Sequence, residues 1–160
     1  MRTAAPWMLG IAVLLGAAGG ATAAPLDYVN ARFGYLVTYP ADLYPKPNVA
    51  DNDDGFTVLS ARPASELLVW GSNNALDQRS AYEAACPDGC AGETYRVDTR
   101  LVGVSSGRDA EGIYYLKCVA DRALSRFACF RLRYREADKA RFDPVVDMLG
   151  RSLRLLDGGR

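Results

Sequence analysis

The chain has 160 residues, and its 19 basic side chains balance 19 acidic ones, so no net charge points to nucleic acid or to an anionic membrane surface. Histidine is absent, which excludes Ser-His and Cys-His catalytic pairs and every zinc site that needs an imidazole. Lysine is scarce as well, with Lys46, Lys117 and Lys139 as the only three. The commonest routes to an active site are therefore closed, although carboxylate pairs and Ser-Lys dyads stay open.

Residues 1–23 have the pattern of a cleavable secretory signal peptide. Arg2 gives a basic start, Trp7–Ala18 is almost wholly apolar, and Ala21-Thr22-Ala23 is a small-x-small cleavage pattern. The apolar run is too short for a comfortable membrane span, so we expect no integral membrane segment after cleavage. The remainder, 24–160, has about the size of one domain. Export predicts a location in the periplasm or outside the cell, in an oxidising compartment.

Short strands separated by loops are predicted for the first half of the exported chain. Alternating bulky residues in Phe33–Tyr39, which Pro40 stops, predict a strand, and Pro25–Arg32 reads as its lead-in. The prolines and aspartates of Ala41–Gly55 predict a loop. A hairpin follows, with arms Phe56–Ala61 and Leu67–Gly71 around the turn Arg62-Pro63-Ala64-Ser65.

The acidic run in this loop offers oxygen ligands that calcium prefers, from Asp51, Asp53 and Asp54. The twelve-residue calcium-loop template nevertheless fails. Starting at Asp51 puts Gly55 one place early and puts Arg62 where the bidentate glutamate belongs. A solvated turn is therefore predicted, and we expect neither a metal nor a cofactor.

The middle of the chain contains one helix and further strands. Ser80 and Glu83 fit a capping box, which predicts a short helix that begins near Ser80 and ends before Pro87. Thr94–Ser105 has the alternation of a single strand, and Ser105-Ser106-Gly107 is interpreted as a β-turn.

Four cysteines allow three pairings, and the hairpin geometry favours one of them. Gly112–Ala120 and Phe127–Arg135 are strand-like runs around the polar loop Asp121–Arg126. A symmetric hairpin places Cys118 opposite Cys129, close enough for a disulfide. The remaining pair, Cys86–Cys90, would then close a tight loop.

Two interpretations of Cys86 and Cys90 are open, a structural clasp or a redox-active dithiol. Thioredoxin-type catalysts have two intervening residues and a first cysteine at a helix N-terminus, which favours the thiolate. Here three residues intervene, and Cys86 is expected near a helix C-terminus. We favour the clasp, and a zinc site of four cysteines is less favoured still because export promotes oxidation.

The hairpin register also separates an apolar face from a face that carries arginines. The apolar face, on which Lys117 is the one charged residue, is predicted to face the core. On the other face, guanidinium groups beside a tyrosine could hold a carboxylate or a phosphate. The alternative, which we favour, is an amphipathic strand whose arginines are solvated and offset by Asp98. The possible ligand face consists of Tyr114, Arg131, Arg133 and Arg135.

A last helix completes the predicted fold. Asp143-Pro144 is typical of an N-cap and first-turn proline, the apolar residues Val145 and Leu149 follow, and Gly158-Gly159 would end the helix. This order of elements predicts a single α+β domain, a mainly antiparallel β-sheet with a short mid-chain helix and a C-terminal helix packed on it.

Several segments also form a family pattern: Phe33-Gly34-Tyr35, Tyr39-Pro40, Leu67-Leu68-Val69-Trp70-Gly71, Val104-Ser105-Ser106-Gly107 and Phe142-Asp143-Pro144-Val145-Val146. Their combination resembles a group of uncharacterised exported bacterial proteins, and the order of elements resembles the PsbP-like fold. The resemblance implies a non-enzymatic accessory or interaction protein, and it brings no functional residues with it. The chain departs from the group at the Cys86–Cys90 loop and at Tyr134-Arg135, where the group pattern has tyrosine-proline.

Three classes of function follow from these observations. The first is a non-catalytic accessory or protein-interaction module whose partner is another envelope protein, engaged through a sheet face or through Ala41–Gly55. The second is a small-anion or small-molecule binding protein that uses the arginine and tyrosine face. The third and least favoured is an enzyme, either a thiol-disulfide catalyst or a carboxylate hydrolase.

Overall fold

The computed structural model describes residues 25–74 and 78–156, so the predicted signal peptide, 1–23, and Gly158-Gly159 lie outside the described residues. The strands in chain order are β1 Pro25–Asn30, β2 Tyr35–Pro40, β3 Asn48–Val49, β4 Gly55–Ala61, β5 Ala64–Asn73, β6 Glu93–Asp98, β7 Val102–Asp109, β8 Gly112–Ala120, β9 Arg126–Tyr134 and β10 Arg154–Leu155. The helices are α1 Ala81–Ala85 and α2 Lys139–Ser152, with a 3-10 turn at Glu136–Asp138.

These strands form two antiparallel sheets. The small sheet has the order β1-β2-β10, and the large sheet has the order β3-β4-β5-β9-β8-β7-β6. The small sheet and α2 cover one side of the large sheet, and a single apolar core lies between them. This is the predicted α+β architecture. No helix among the described residues is long and apolar enough to cross a membrane.

Aromatic residues dominate the core that joins the two layers. The ring of Phe56 on β4 lies 4.8 Å from that of Tyr28 and 5.4 Å from that of Tyr39, which connects the large sheet to the small one. Tyr134 on β9 stacks on Phe142 of α2 with centroids 4.7 Å apart. Each large ring buries an apolar area that stabilises the fold by about 2 kcal/mol or more.

The predicted hairpin register is confirmed. β8 and β9 pair with Cys118 opposite Cys129 and Tyr114 opposite Arg133. The apolar face, which includes Phe130 and Leu132, lies in the core as predicted. The Lys117 amine leaves that face by donating a hydrogen bond to the carbonyl of Gly150 near the C-terminus of α2, where a cation complements the helix dipole. Burial lowers the pKa of Lys117.

The structure corrects the predicted start and end of the last helix. Asp143 is not the N-cap, because α2 begins at Lys139 and Pro144 lies inside it. The buried side chain of Phe142 draws the upstream turn into the helix, and the Lys139–Asp143 ion pair spans that turn. Pro144 has no amide hydrogen, so α2 lacks the one backbone hydrogen bond that this residue would donate. The helix ends at Ser152 because the chain turns into β10, which pairs with β2.

The structure also corrects Thr94–Ser105, which is two strands rather than one. Thr99 makes the break, since its hydroxyl accepts a hydrogen bond from the Val102 amide at 2.9 Å and closes a tight turn between β6 and β7. Ser105-Ser106-Gly107 is accordingly in the middle of β7 and not in a turn. Small residues are required in β7, because a Cβ on Gly103 would lie 2.4 Å from the Tyr82 Cα of α1.

Two smaller differences concern the first half of the chain. Pro25–Arg32 is not merely a lead-in, since β1 pairs with β2 along its whole length. The first predicted hairpin is present as β4 and β5, but its turn is confined to Arg62-Pro63 and β5 begins already at Ala64.

Candidate functional site

The large sheet has an outward face on the side opposite the core, and α1 covers only part of it. The capping box of α1 forms as predicted, with the Ser80 hydroxyl accepting from the Glu83 amide and the Glu83 carboxylate accepting from the Ser80 amide. Ala81 and Tyr82 then face β7 and β8. Trp70 of β5 is half-buried and packs against the border of this covered half.

Both predicted cysteine pairs are at disulfide distance. Cys118 and Cys129 join β8 to β9 beneath α1, with Cα atoms 4.1 Å apart. Cys86 and Cys90 close the loop after α1, with Cα atoms 5.3 Å apart. Cys86 is the C-cap of α1, so its sulfur lacks the helix N-terminus that would favour a thiolate. Among the described residues no cysteine is free.

A polar cluster lies under α1. The carboxylate of Glu93 accepts hydrogen bonds from the hydroxyl groups of Tyr82, at 2.9 Å, and Ser105, at 2.5 Å. Ser105 also lies 3.3 Å from the Tyr114 hydroxyl. The guanidinium of Arg96 covers the ring of Tyr82 at 3.8 Å from its centroid. Ser105 is completely buried, and its hydrogen bond to Glu93, which also accepts from Tyr82, fixes α1 to the sheet.

The structure brings Tyr114, Arg131 and Arg133 onto the outward face as predicted, but it also surrounds the arginines with carboxylates. Arg131 pairs with Glu66 at 2.9 Å. Arg133 pairs with Asp109 at 2.6 Å and with Glu111. The counter-ion expected in this place, Asp98, pairs with Arg96 instead. Arg135 follows the end of β9 and is exposed, but it pairs with Asp138 of the 3-10 turn and so does not extend the row as an unpaired cation.

Charge and space both limit what this arginine row could bind. Arg131 and Arg133 face three carboxylates, so their attraction for an anion is already balanced. The depressions beside them measure about 220 and 210 Å³, whereas small-molecule sites commonly exceed about 300 Å³. The Nε atoms of both arginines are buried without a hydrogen-bond partner among the described residues, so each keeps one unused donor.

The uncovered half of the outward face is formed by β4, β5 and β9. Leu59 is 70 % exposed, and the neighbouring side chains Thr57 and Leu68 are half-buried. The Glu66–Arg131 ion pair borders the leucines, because Leu59 lies opposite Glu66 and Leu68 lies opposite Arg131. We call Thr57, Leu59, Glu66, Leu68 and Arg131 the open face.

Neither the open face nor the carboxylates beside the arginines were predictable from the strand pattern. The open face and the position of Glu66 beside Arg131 depend on the pairing of β5 with β9, whose residues are about sixty positions apart in the chain. Asp109 and Glu111 come from the end of β7 and the turn that follows it. A strand pattern alone gives no partner for such a pairing. The one available signal was Glu66, the only charged residue of β5.

The loop Ala41–Gly55 is held against the core at several points. Tyr44 is fully buried and its hydroxyl lies 2.9 Å from that of Ser65. The carbonyl of Asp54 accepts a hydrogen bond from the Tyr35 hydroxyl at 2.9 Å. The acidic run forms a turn, and in the described part of the chain the only three metal-capable side chains that converge are Cys86, Cys90 and Glu93, of which both cysteines are disulfide-bonded.

The sequence matches no protein-family model and no curated protein. The structure is similar to the solution structure of cyanobacterial PsbP (CyanoP) from Synechocystis sp. PCC 6803, with a TM-score of 0.57 and 14 % sequence identity. The match covers 88 % of this chain and 98 % of that chain. The chain therefore has a PsbP-like fold, which the sequence resemblance implied. At this identity the likeness concerns the fold alone.

Proposed function

We propose that this chain is a non-catalytic accessory module that binds another protein through the open face. The observation that carries the proposal is the exposure of Leu59, at 70 %, on a sheet face that no element of the described chain covers. Apolar residues bordered by an arginine ion pair are the usual composition at the centre of a protein interface. A sheet face without a deep pocket suits a broad macromolecular surface better than a small ligand.

The proposed place of action is the periplasm or the cell exterior, with another envelope protein as partner. Support comes from the signal pattern of residues 1–23 and from the two disulfides, which persist in oxidising compartments. The Cys86–Cys90 bond supports a structural role rather than thiol-disulfide exchange, because Cys86 lies at a helix C-terminus and Glu93 is nearby. A carboxylate close to a reduced cysteine would disfavour the thiolate.

Anion binding by Arg131 and Arg133 is the weaker alternative. The unused Nε donors favour it, whereas the three carboxylates around the two guanidinium groups oppose it. A carboxylate would have to displace an ion pair that is already formed, which costs desolvation of the group released.

The test is capture of a crosslinked partner from the native compartment with two matched variants. Leu59→Glu combined with Leu68→Glu should abolish capture, because two charges would be buried at the interface. Leu26→Glu combined with Val29→Glu makes the same charge change on β1, where both side chains are about half exposed, and should leave capture intact. Equal capture by both variants contradicts the proposal. A thermal shift by acetate or phosphate that is lost in Arg131→Ala would favour the anion alternative.

A further inference from the structure

A large cavity lies away from the open face, at the end of the molecule between the large sheet and β10. It has a volume of about 580 Å³, within the range of about 300 to 1,000 Å³ that is common for small-molecule sites. One wall is the core side of the large sheet, where Val102 of β7 pairs with Val119 of β8. The opposite wall is β10 with its flanking residues Leu153 and Leu156. We call this cavity the end cleft.

Most of the lining of the end cleft is aliphatic. Val119 is half-buried and packs against the main core, and Leu155 does so from the small sheet. Leu101, at the turn between β6 and β7, adds a further apolar side chain. Such a lining favours a ligand with a flexible hydrocarbon part, since each methylene removed from water stabilises binding.

The wall of the end cleft is fixed by Arg126, whose charge is already used. Its guanidinium donates to the Phe33 carbonyl at 2.8 Å and to the Leu156 carbonyl at 2.9 Å. Asp121 lies 3.7 Å from the same guanidinium and accepts a hydrogen bond from the Ser125 amide at 2.6 Å. Burial alone would raise the pKa of Asp121, but these hydrogen bonds outweigh it and lower that pKa, so the pair stays ionised and balanced.

Two further arginines line the end cleft, and their charges are not offset by a carboxylate of the described residues. Arg122 and Arg154 are exposed, and neither forms an ion pair with a carboxylate of the described residues. Among the described residues, the hydrogen bond of the Arg154 guanidinium is a long one, 3.5 Å, to the Ser152 carbonyl. The cleft therefore combines an aliphatic interior with two uncompensated guanidinium groups at its border. This contrasts with the arginine row of the outward face, where every guanidinium faces a carboxylate.

We propose that the end cleft binds a single acyl chain that carries an anionic head group, with the chain between Val119 and Leu155 and the head group at Arg122 and Arg154. The aliphatic lining selects the chain, and the guanidinium pair selects a carboxylate or phosphate over a neutral or cationic head. This inference does not depend on the proposed function, because the end cleft lies on the core side of the sheet and the open face lies on the other side.

Calorimetry with defined probes tests the proposal on the purified chain with both disulfides formed. Laurate should bind saturably with one site per chain, and affinity should fall from laurate to decanoate to octanoate by up to about fourfold per methylene. Acetate should show no binding. The cationic dodecyltrimethylammonium should bind at least tenfold more weakly than laurate. Absence of saturable laurate binding, or equal binding of the cationic amphiphile, overturns the proposal.

Charge variants locate the site. Arg122→Glu combined with Arg154→Glu should weaken laurate binding at least tenfold, because attraction at the head group becomes repulsion. The control is Arg62→Glu combined with Arg141→Glu, which makes the same change of charge at exposed arginines outside the cleft and should bind laurate as the wild type does. Equal weakening in both pairs would mean that only net charge matters and would overturn the assignment.

A second comparison distinguishes a monomeric amphiphile from a membrane surface as the source of the anionic head group. Lysophosphatidylglycerol offered as monomer should compete with laurate if the cleft accepts any anionic single-chain amphiphile. Binding to phosphatidylglycerol vesicles that laurate does not displace would identify a membrane surface contact and contradict a cleft site. The Leu59→Glu and Leu68→Glu variant should bind laurate normally, so failure of the open face and failure of the end cleft are distinguishable.

Discussion

At Gly103 the backbone of β7 touches the backbone of α1, and this contact seats the helix and its disulfide loop on the sheet. A Cβ at this position would lie 2.4 Å from both the nitrogen and the Cα of Tyr82. These are backbone atoms, which cannot rotate away as a side chain could. This close contact between the backbones of β7 and α1 therefore sets how closely α1 covers Cys118 and Tyr114.

Gly103→Ala should lower the free energy of unfolding by about 1 to 3 kcal/mol, because overpacking forces α1 away from the sheet. Gly150→Ala is the matched control, since no atom lies within 4 Å of its added Cβ. It should stabilise the protein by about 0.5 to 1 kcal/mol through its position in α2. Urea unfolding measures both values. A neutral Gly103→Ala would show that α1 does not need this contact.

Tyr44 gives the protein a predictable weakness at high pH. Burial, opposed in part by the Ser65 hydroxyl, raises the pKa of Tyr44 to about 12. Burial also raises the pKa of Tyr35. The unfolded chain loses the phenolic proton near pH 10 while the folded chain keeps it, so stability is full below pH 10 and falls as the pH rises from 10 to 12.

Tyr44→Phe removes the part of this pH dependence that Tyr44 contributes and leaves the part that Tyr35 contributes. At pH 8 the variant should be less stable than the wild type by about 1 kcal/mol, because the hydrogen bond to Ser65 is lost. At pH 11 the wild type should have lost about 1.4 kcal/mol through Tyr44, so the difference should vanish or reverse. Urea midpoints at the two pH values measure it. A difference that stays constant from pH 8 to pH 11 contradicts the account.

Among the elements, the β8–β9 hairpin and the loop after α1 differ in what their disulfides contribute. Cys118–Cys129 spans 11 residues and lies buried in the covered half of the outward face. Cys86–Cys90 spans 4 residues and lies at the border of that covered half. In the loop-entropy description the longer loop stabilises by roughly 3 kcal/mol and the shorter one by roughly 2 kcal/mol.

The double variant Cys118→Ala with Cys129→Ala should accordingly lose more stability than Cys86→Ala with Cys90→Ala. The buried pair also leaves a small void in place of its sulfur atoms, which adds to the difference. Thermal unfolding under non-reducing conditions ranks the two variants, and peptide mass mapping checks the pairing. The reverse ranking, or any bond between the two pairs, would contradict the hairpin register as the source of stability.

Local sequence was sufficient for the elements whose partners are close in the chain. The β8–β9 register follows from a symmetric loop and from the cysteines, and the limits of α1 follow from Ser80 and Glu83. The start of α2 was predicted wrongly because Pro144 resembles a first-turn proline, whereas the burial of Phe142 extends the helix upstream. Tertiary packing outweighed the local signal there.

The candidate site was less predictable than the hairpin that carries it. Tyr114, Arg131 and Arg133 do share one face, because a face follows from alternation. Their neutralisation by Glu66, Asp109 and Glu111 depends on the strands that flank the hairpin. Period-two patterns do not specify which strand lies beside which, so counter-ions from other strands are invisible in the sequence.

In the molecule as a whole, the two sides of the large sheet are used differently. The core side is covered by the small sheet and α2. The outward side is only half covered by α1 and its disulfide loop, which leaves the open face on β4, β5 and β9. A PsbP-like sheet with one half-covered face is the feature on which the proposed accessory role depends.

Site-specific photocrosslinking in the native compartment is the most direct test of that role. A photoreactive phenylalanine replaces Leu59 in one strain and Leu26 in another; the two side chains are 70 % and 51 % exposed. Binding through the open face predicts a discrete, saturable adduct with one protein from position 59 and none from position 26. Adducts of equal yield from both positions, or an adduct from position 26 alone, would contradict binding through the open face.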